Sequence, residues 1–175
     1  VRREHPQGLY GRIVHNKYLS YSLRFTKNYL SHFSPRFLFV TGDEIARSKV
    51  PGFGQFAIFF APFYFLGLFA LLKQNSLSKK IILSWLLIAP LAAAATFQSP
   101  HALRSQNMVI PMSFVLGLGV VEFFAFFKNN PLSKIAFWGA FVYFFAVYSY
   151  QYFVTYPRLL PYAWQYGFEQ IASYT

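Results

Sequence analysis

Two short stretches hold the residues best suited to binding or transferring a charged group. In FQSPHALRSQN (residues 97 to 107), His101 and Arg104 sit three apart, so one helical turn would put them on a shared face. In GDEIARSKVPGFG (residues 42 to 54), Asp43 and Glu44 precede Arg47 and Lys49. Arginine offers a planar fork of N–H donors that fits phosphate oxygens, and lysine adds a compact point charge. Arg104 has a second reading, as a side chain that snorkels to lipid headgroups with no specific ligand. Asp43 and Glu44 have three: an ion pair with Arg47, part of a metal site, or Asp43 as N-cap of a helix starting at Glu44. An acidic pair without clustered histidines is a poor calcium- or magnesium-type pattern. No cofactor is therefore expected, with a divalent metal left open. Glu122 is the one acidic residue inside an apolar run. Ionisable residues there mark function by default, and pairing with Lys128 is the structural alternative. The sequence has no nucleophile–base constellation, no glycine-rich phosphate loop and no histidine-rich metal spacing. By itself it shows no complete active site.

These residues must be positioned by apolar elements. Of 175 residues, 55% are hydrophobic and 12% charged, about half the ~25% charged share of a soluble domain. Four runs read as spans: 55 to 72, 81 to 97, 108 to 127 and 135 to 154. Each matches the hydrocarbon thickness as a helix of roughly 25–30 Å, and none alternates as a barrel strand does. The net charge of +11 suits a membrane surface or a phosphate-bearing ligand. No base-stacking motif accompanies it, so no nucleic acid is expected. The absence of cysteine excludes disulfide and thiol chemistry. The chain starts at Val1 with no leader pattern after it, and a fragment of a longer chain is expected.

The connections predict an orientation. KQNSLSKK (73 to 80) and KNNPLSK (128 to 134) are rich in lysine, whereas the 98 to 107 hairpin has only Arg104. Lysine-rich short loops stay cytoplasmic. Residues 1–54, the hairpin and the tail 157–175 would then be extracytoplasmic, flanking a four-helix region at 55–156. The nine Lys and Arg among residues 1–54 run against that rule, which long loops follow less strictly. Within NKYLSYSLRFTKNYLSHF, residues Leu19, Leu23, Thr26, Leu30 and Phe33 fall on one helical face, with Lys17, Arg24 and Lys27 among the rest. That pattern suits a helix in the headgroup plane, or one packed on a missing soluble domain. Pro35, Gly42, Pro51, Gly52 and Gly54 then punctuate a loop. The alanines at 92 to 95, with Gly117 and Gly119, offer close-approach surfaces for helix packing. Trp85, Trp138 and the tyrosines from 148 to 156 read as interfacial belts. The fold class expected is an all-α membrane protein with about four transmembrane helices plus an amphipathic interfacial helix.

NYLSHFSPRFLFVTGDEIARSKVPGFGQ resembles the extracytoplasmic loop of bacterial integral-membrane glycosyltransferases of the type C fold. These are relatives of the protein O-mannosyltransferases and of the aminoarabinose transferase of lipid A. The matching residues are Ser34, Pro35, Leu38, Phe39, Gly42, Asp43, Arg47 and the Pro51–Gly54 stretch. SPHALRSQNMVIP is similar to that family's Arg-containing outer loop, and AWQYGFEQIASY to the entry of its outer C-terminal region. One departure is Ser48, where many relatives carry His. The resemblance implies transfer of a sugar from a polyprenyl-phosphate carrier to an acceptor on the outer face. It implies that Arg47 and Arg104 hold the lipid phosphate, assisted by His101 and with Lys49 near the same interface, while Asp43 orders the loop. The family's catalytic Asp or Glu lies in a first outer loop, which this chain lacks. The missing N-terminal half of the same chain and membrane lipid are thus the expected partners. The rival reading is a non-catalytic membrane protein, a transporter or flippase subunit or an assembly scaffold.

Overall fold

The computed structural model describes residues 17–161, and every regular element among them is helical. Helix α1 is Lys17–Ser31, α2 Ala61–Lys73, α3 Leu77–Ile88, α4 Leu91–Ala94, α5 Val109–Phe126, α6 Pro131–Tyr150 and α7 Tyr156–Leu159, with short 3-10 and π turns between them. The expected tail lies outside the described residues from 162 onward.

Both lysine loops end in a helix start written into the sequence. Ser76 Oγ accepts from the Lys79 N–H at 3.2 Å. Asn130 Oδ1 accepts from Leu132 and Ser133, with Pro131 opening α6. Such caps satisfy the orphan N–H groups of the first turn, and proline at that position loses no hydrogen bond.

Three segments are long and apolar enough to cross a membrane: Leu77–Ala94, Gln106–Phe126 and Pro131–Leu159. The fourth expected span is shorter. Ile58–Lys73 is apolar, and its 16 residues reach only about 24 Å as a helix. Pro90 divides the run at 81 to 97 into α3 and the four-residue α4.

The centre of the bundle is a backbone-to-backbone contact between α2 and α5. A Cβ on Gly67 would collide with the Val115 carbonyl, and one on Gly119 with the Phe63 carbonyl. Glycine permits this approach, which brings Cα–H groups to carbonyls and maximises packing where lipid gives no hydrophobic drive. Around it, Phe63 packs edge-on against Phe123 and Phe137, each with ring centroids 5.3 Å apart. Of the expected close-approach residues, Gly119, Ala93 and Ala94 are buried in contacts, whereas Gly117 faces open space.

These contacts also set a direction. Phe63 meets Phe123, Gly67 meets Val115 and Gly119, and Leu71 shares a groove with Val109 and Ile110. Moving forward along α2 therefore moves backward along α5, so the two helices are antiparallel. Simple alternation of four full spans, on which the expected sidedness rested, needs them parallel. Pairing here follows the glycine contact rather than chain order, and residues 74 to 108 leave and rejoin the pair at the same end. Helix α1 presents two different faces. Leu19, Leu23 and Leu30 stay exposed, while Asn28 and Tyr29 on another face bond to carbonyls of Ala94, Thr96 and Leu87.

The glycine contact predicts a strong positional contrast. Gly119→Ala should destabilise the detergent-solubilised chain by roughly 1–3 kcal/mol, or ~2–10 °C in Tm. Gly117→Ala, two residues away, should leave Tm unchanged or raise it. Equal effects in a thermal unfolding series would contradict the assignment.

Candidate functional site

The segment after α1 folds back on itself. Gly42 at φ +65° and Gly52 at φ +79° adopt the left-handed conformation that glycine tolerates without strain. The returning strand of chain donates from Gln55 N to Phe37 O and from Phe56 N to Leu38 O. Gly54 lies so close that a Cβ there would meet Leu38 O at 2.6 Å. The loop is thereby closed around buried Phe37, Leu38 and Phe39.

Asp43, 1% exposed, pins this loop to the hairpin. Its Oδ1 accepts from the Ile45 N–H at 2.9 Å and its Oδ2 from the Ala102 N–H at 2.7 Å. The second bond joins residues 59 apart in sequence. No helix starts at Glu44, so the expected N-cap is instead a local turn that precedes a 3-10 turn at Ala46–Ser48. His101 Nδ1 lies 3.6 Å from Asp43 Oδ2, beyond hydrogen-bond reach, and is buried without a hydrogen-bond partner. Arg47 does not pair with Asp43.

His32, which sequence reasoning passed over, completes the junction. Its Nδ1 sits 2.9 Å from the Asn28 carbonyl, an acceptor, so Nδ1 carries the proton. Nε2 is then free to accept the His101 backbone N–H at 3.3 Å. Both bonds need the neutral ring, because a proton on Nε2 would face another donor. Burial agrees, lowering the His32 pKa by desolvation against smaller raising effects of the Asn28 and Tyr29 backbone and of Asp43. The available signal was Asn28 and His32 four apart on one helix face. The Asn28 carbonyl also accepts from Ser99 Oγ at 3.2 Å.

The expected phosphate-binding residues separate. Arg47 and Lys49 line a cleft of about 350 Å³ with Ser48, Gln55 and the tyrosines 148, 152 and 156. The three tyrosine rings stack in sequence, 6.2 and 6.1 Å between centroids. Phe53 packs edge-on against Tyr148, and Tyr156 donates its hydroxyl to the Arg47 carbonyl at 3.3 Å. Ser48 Oγ is buried without a hydrogen-bond partner. The cleft has two cations and no carboxylate on its lining. Arg104 is exposed and does not line it. His101 is buried in the same turn, where Ser105 Oγ donates to its carbonyl at 2.8 Å. The two residues thus occupy different surroundings despite their spacing.

Glu122 is exposed on α5 and forms no ion pair with Lys128 among the described residues. No group of three or more His, Asp or Glu gathers as metal ligands among those residues. A cavity of about 610 Å³ between α2, α3 and α5 is lined mostly by apolar side chains such as Leu71, Ile82 and Phe114. Comparison of the chain with protein families, curated proteins and solved structures returned no match.

The His32 geometry gives a pH dependence with a definite sign. The unfolded chain titrates near ~6.5 and the folded chain lower, so protons favour unfolding between the two values. The contribution is complete above that unfolded value and is lost as pH falls through the folded one. Lowering pH from about 7.5 to about 5.5 should lower Tm, and His32→Gln should make that dependence shallower. An identical pH profile in the variant would contradict the neutral-ring junction.

Proposed function

We propose that this chain is the carrier-binding membrane half of a glycosyltransferase that moves a sugar from a polyprenyl-phosphate donor to an acceptor at the outer face. One observation supports the reading above all. Arg47 and Lys49 share a cleft with the Gln55 amide, the unpartnered Ser48 hydroxyl and a row of tyrosines. A phosphate needs fixed donors of that kind, and charge-assisted hydrogen bonds are the strong ones. In a water-poor site such cations also stabilise the phosphate as its charge grows on departure of the sugar. The general base belongs, in this reading, to the other half of the same protein.

Three apolar helices carry the cleft at the membrane. Ile58–Lys73 is a fourth, shorter segment held in the bilayer by its contact with α5, and α1 lies in the headgroup plane with Leu19, Leu23 and Leu30 toward lipid. The loop, the hairpin and the end of the Pro131–Leu159 segment are joined by the bonds of Asp43 and Tyr156. We place the Arg47 cleft at the outer face. The phosphate is assigned to Arg47 and Lys49, with Arg104 turned to lipid headgroups and His101 acting through the junction.

In nanodiscs, titration with a short isoprenyl monophosphate measures this directly. Arg47→Ala and Lys49→Ala should each weaken binding about 10-fold or more, since a charged hydrogen bond contributes roughly 1.5–3 kcal/mol. Arg104→Ala should change affinity less than about 2-fold. Full affinity in both cleft variants would remove the cleft from the mechanism.

A further inference from the structure

On α1, Tyr21, Arg24, Phe25 and Asn28 recur at i, i+3, i+4 and i+7, so they share one helix face. That face meets the chain leaving α4, and with Thr96 and Phe97 it lines a cleft of about 380 Å³. None of these residues lines the Arg47 cleft. Asn28 Nδ2 ties the two walls together, donating to the Ala94 carbonyl at 3.1 Å and the Thr96 carbonyl at 3.3 Å. Thr96 Oγ1 lies within donating distance of the Ala93 and Gln98 carbonyls. The cation is left over. The Arg24 guanidinium lies over the Phe97 ring, 4.8 Å from its centroid, a contact that holds it by its face and leaves its N–H edge able to donate. No carboxylate lines the cleft, and α1 contains no acidic residue.

An oxyanion is the natural acceptor for such an edge, and the surroundings decide which kind. Phe97 is 83% exposed, and Ile88 and Leu91 on the neighbouring α3 and α4 are exposed as well. A soluble phosphate has no use for that apolar surface. A phospholipid uses both parts, its phosphate on Arg24 with the Tyr21 hydroxyl as a further donor, and its acyl chains on the apolar side chains. The charge of the headgroup follows too. Lys17 stands over the Tyr21 ring at 5.6 Å, so positive charge extends along the helix, and no carboxylate on the cleft lining would receive the ammonium of a zwitterionic headgroup. Basic residues at a membrane surface favour anionic lipid.

We propose that this cleft holds the headgroup of one anionic phospholipid of the surrounding bilayer, at a site separate from the Arg47 cleft. The inference rests on the placement of α1 in the headgroup plane. The test reconstitutes the full chain in nanodiscs of phosphatidylcholine mixed with phosphatidylglycerol, and native mass spectrometry of the released protein counts the lipid it retains. The wild type should retain phosphatidylglycerol about tenfold over phosphatidylcholine. Arg24→Gln should erase that preference with an unchanged far-ultraviolet circular dichroism spectrum. Lys27→Gln, which removes an exposed α1 cation outside the cleft, should shift it less than about twofold. A wild type without preference overturns the proposal. So does an equal loss in both variants, which would mean diffuse attraction to a basic helix. Displacement of the retained lipid by inorganic phosphate or by an isoprenyl monophosphate overturns it as well, assigning the cleft to a soluble anion or to a second carrier molecule. The chain has no cysteine, so a bimane attached at Leu23→Cys reports the placement of α1 independently, and spin-labelled lipid should quench it. Without quenching, the headgroup-plane placement fails and takes the proposal with it. Quenching without lipid preference sinks the proposal alone.

Discussion

A single buried carboxylate ties the candidate site together. Asp43 accepts one N–H from its own loop and one from the distant hairpin, with His101 beside it. A carboxylate removed from water is costly unless its oxygens are taken up by donors, so the loop and the hairpin hold each other in one arrangement. The loop that Asp43 anchors is the one that carries Arg47, Lys49 and Gln55 to the tyrosines of the last helical segment. His32 fixes the other side of the hairpin through the His101 N–H. Polar groups from α1, the loop and the hairpin thus satisfy one another at a place where little water competes.

The helices around this junction obey the logic of lipid. Helix α6 buries only Phe137, and large apolar side chains such as Val142 and Phe145 stand open to the surroundings. In water such a surface would drive aggregation, whereas in a bilayer it meets its own kind. What lipid cannot supply is attraction between helices, and the Gly67–Gly119 contact supplies it through close backbone approach. In the apolar helices charge is kept to the ends, Glu122 excepted, and the other charges lie in the loops and on α1.

Much of the local structure was legible in the sequence. Long apolar runs gave the helices, although two of them start ahead of the runs expected from residues 81 and 135, at the caps Ser76 and Asn130, and Gly42 and Gly52 stand where the loop needs a positive φ. Arg47, Lys49 and Asp43 were singled out from residue types and spacing, and the structure puts all three on the walls of clefts. Relations between elements were not legible. A helix that is apolar all round carries no periodic stripe to say which side meets a neighbour, so the antiparallel pairing of α2 and α5 left no trace in the pattern. The three-residue spacing of His101 and Arg104 implied a common face, yet tertiary bonds buried one and left the other exposed. The tyrosines of the last segment read as a membrane belt because their packing on Phe53 and the Arg47 carbonyl is a long-range contact.

If the Asp43 junction positions the binding loop, then removing a side chain that does not line the Arg47 cleft must still empty that cleft. Asp43→Ala, reconstituted in nanodiscs, is predicted to lose at least about tenfold in affinity for an isoprenyl monophosphate while its far-ultraviolet circular dichroism stays that of the wild type. Wild-type affinity in a chain that lacks this carboxylate would contradict the account at its root.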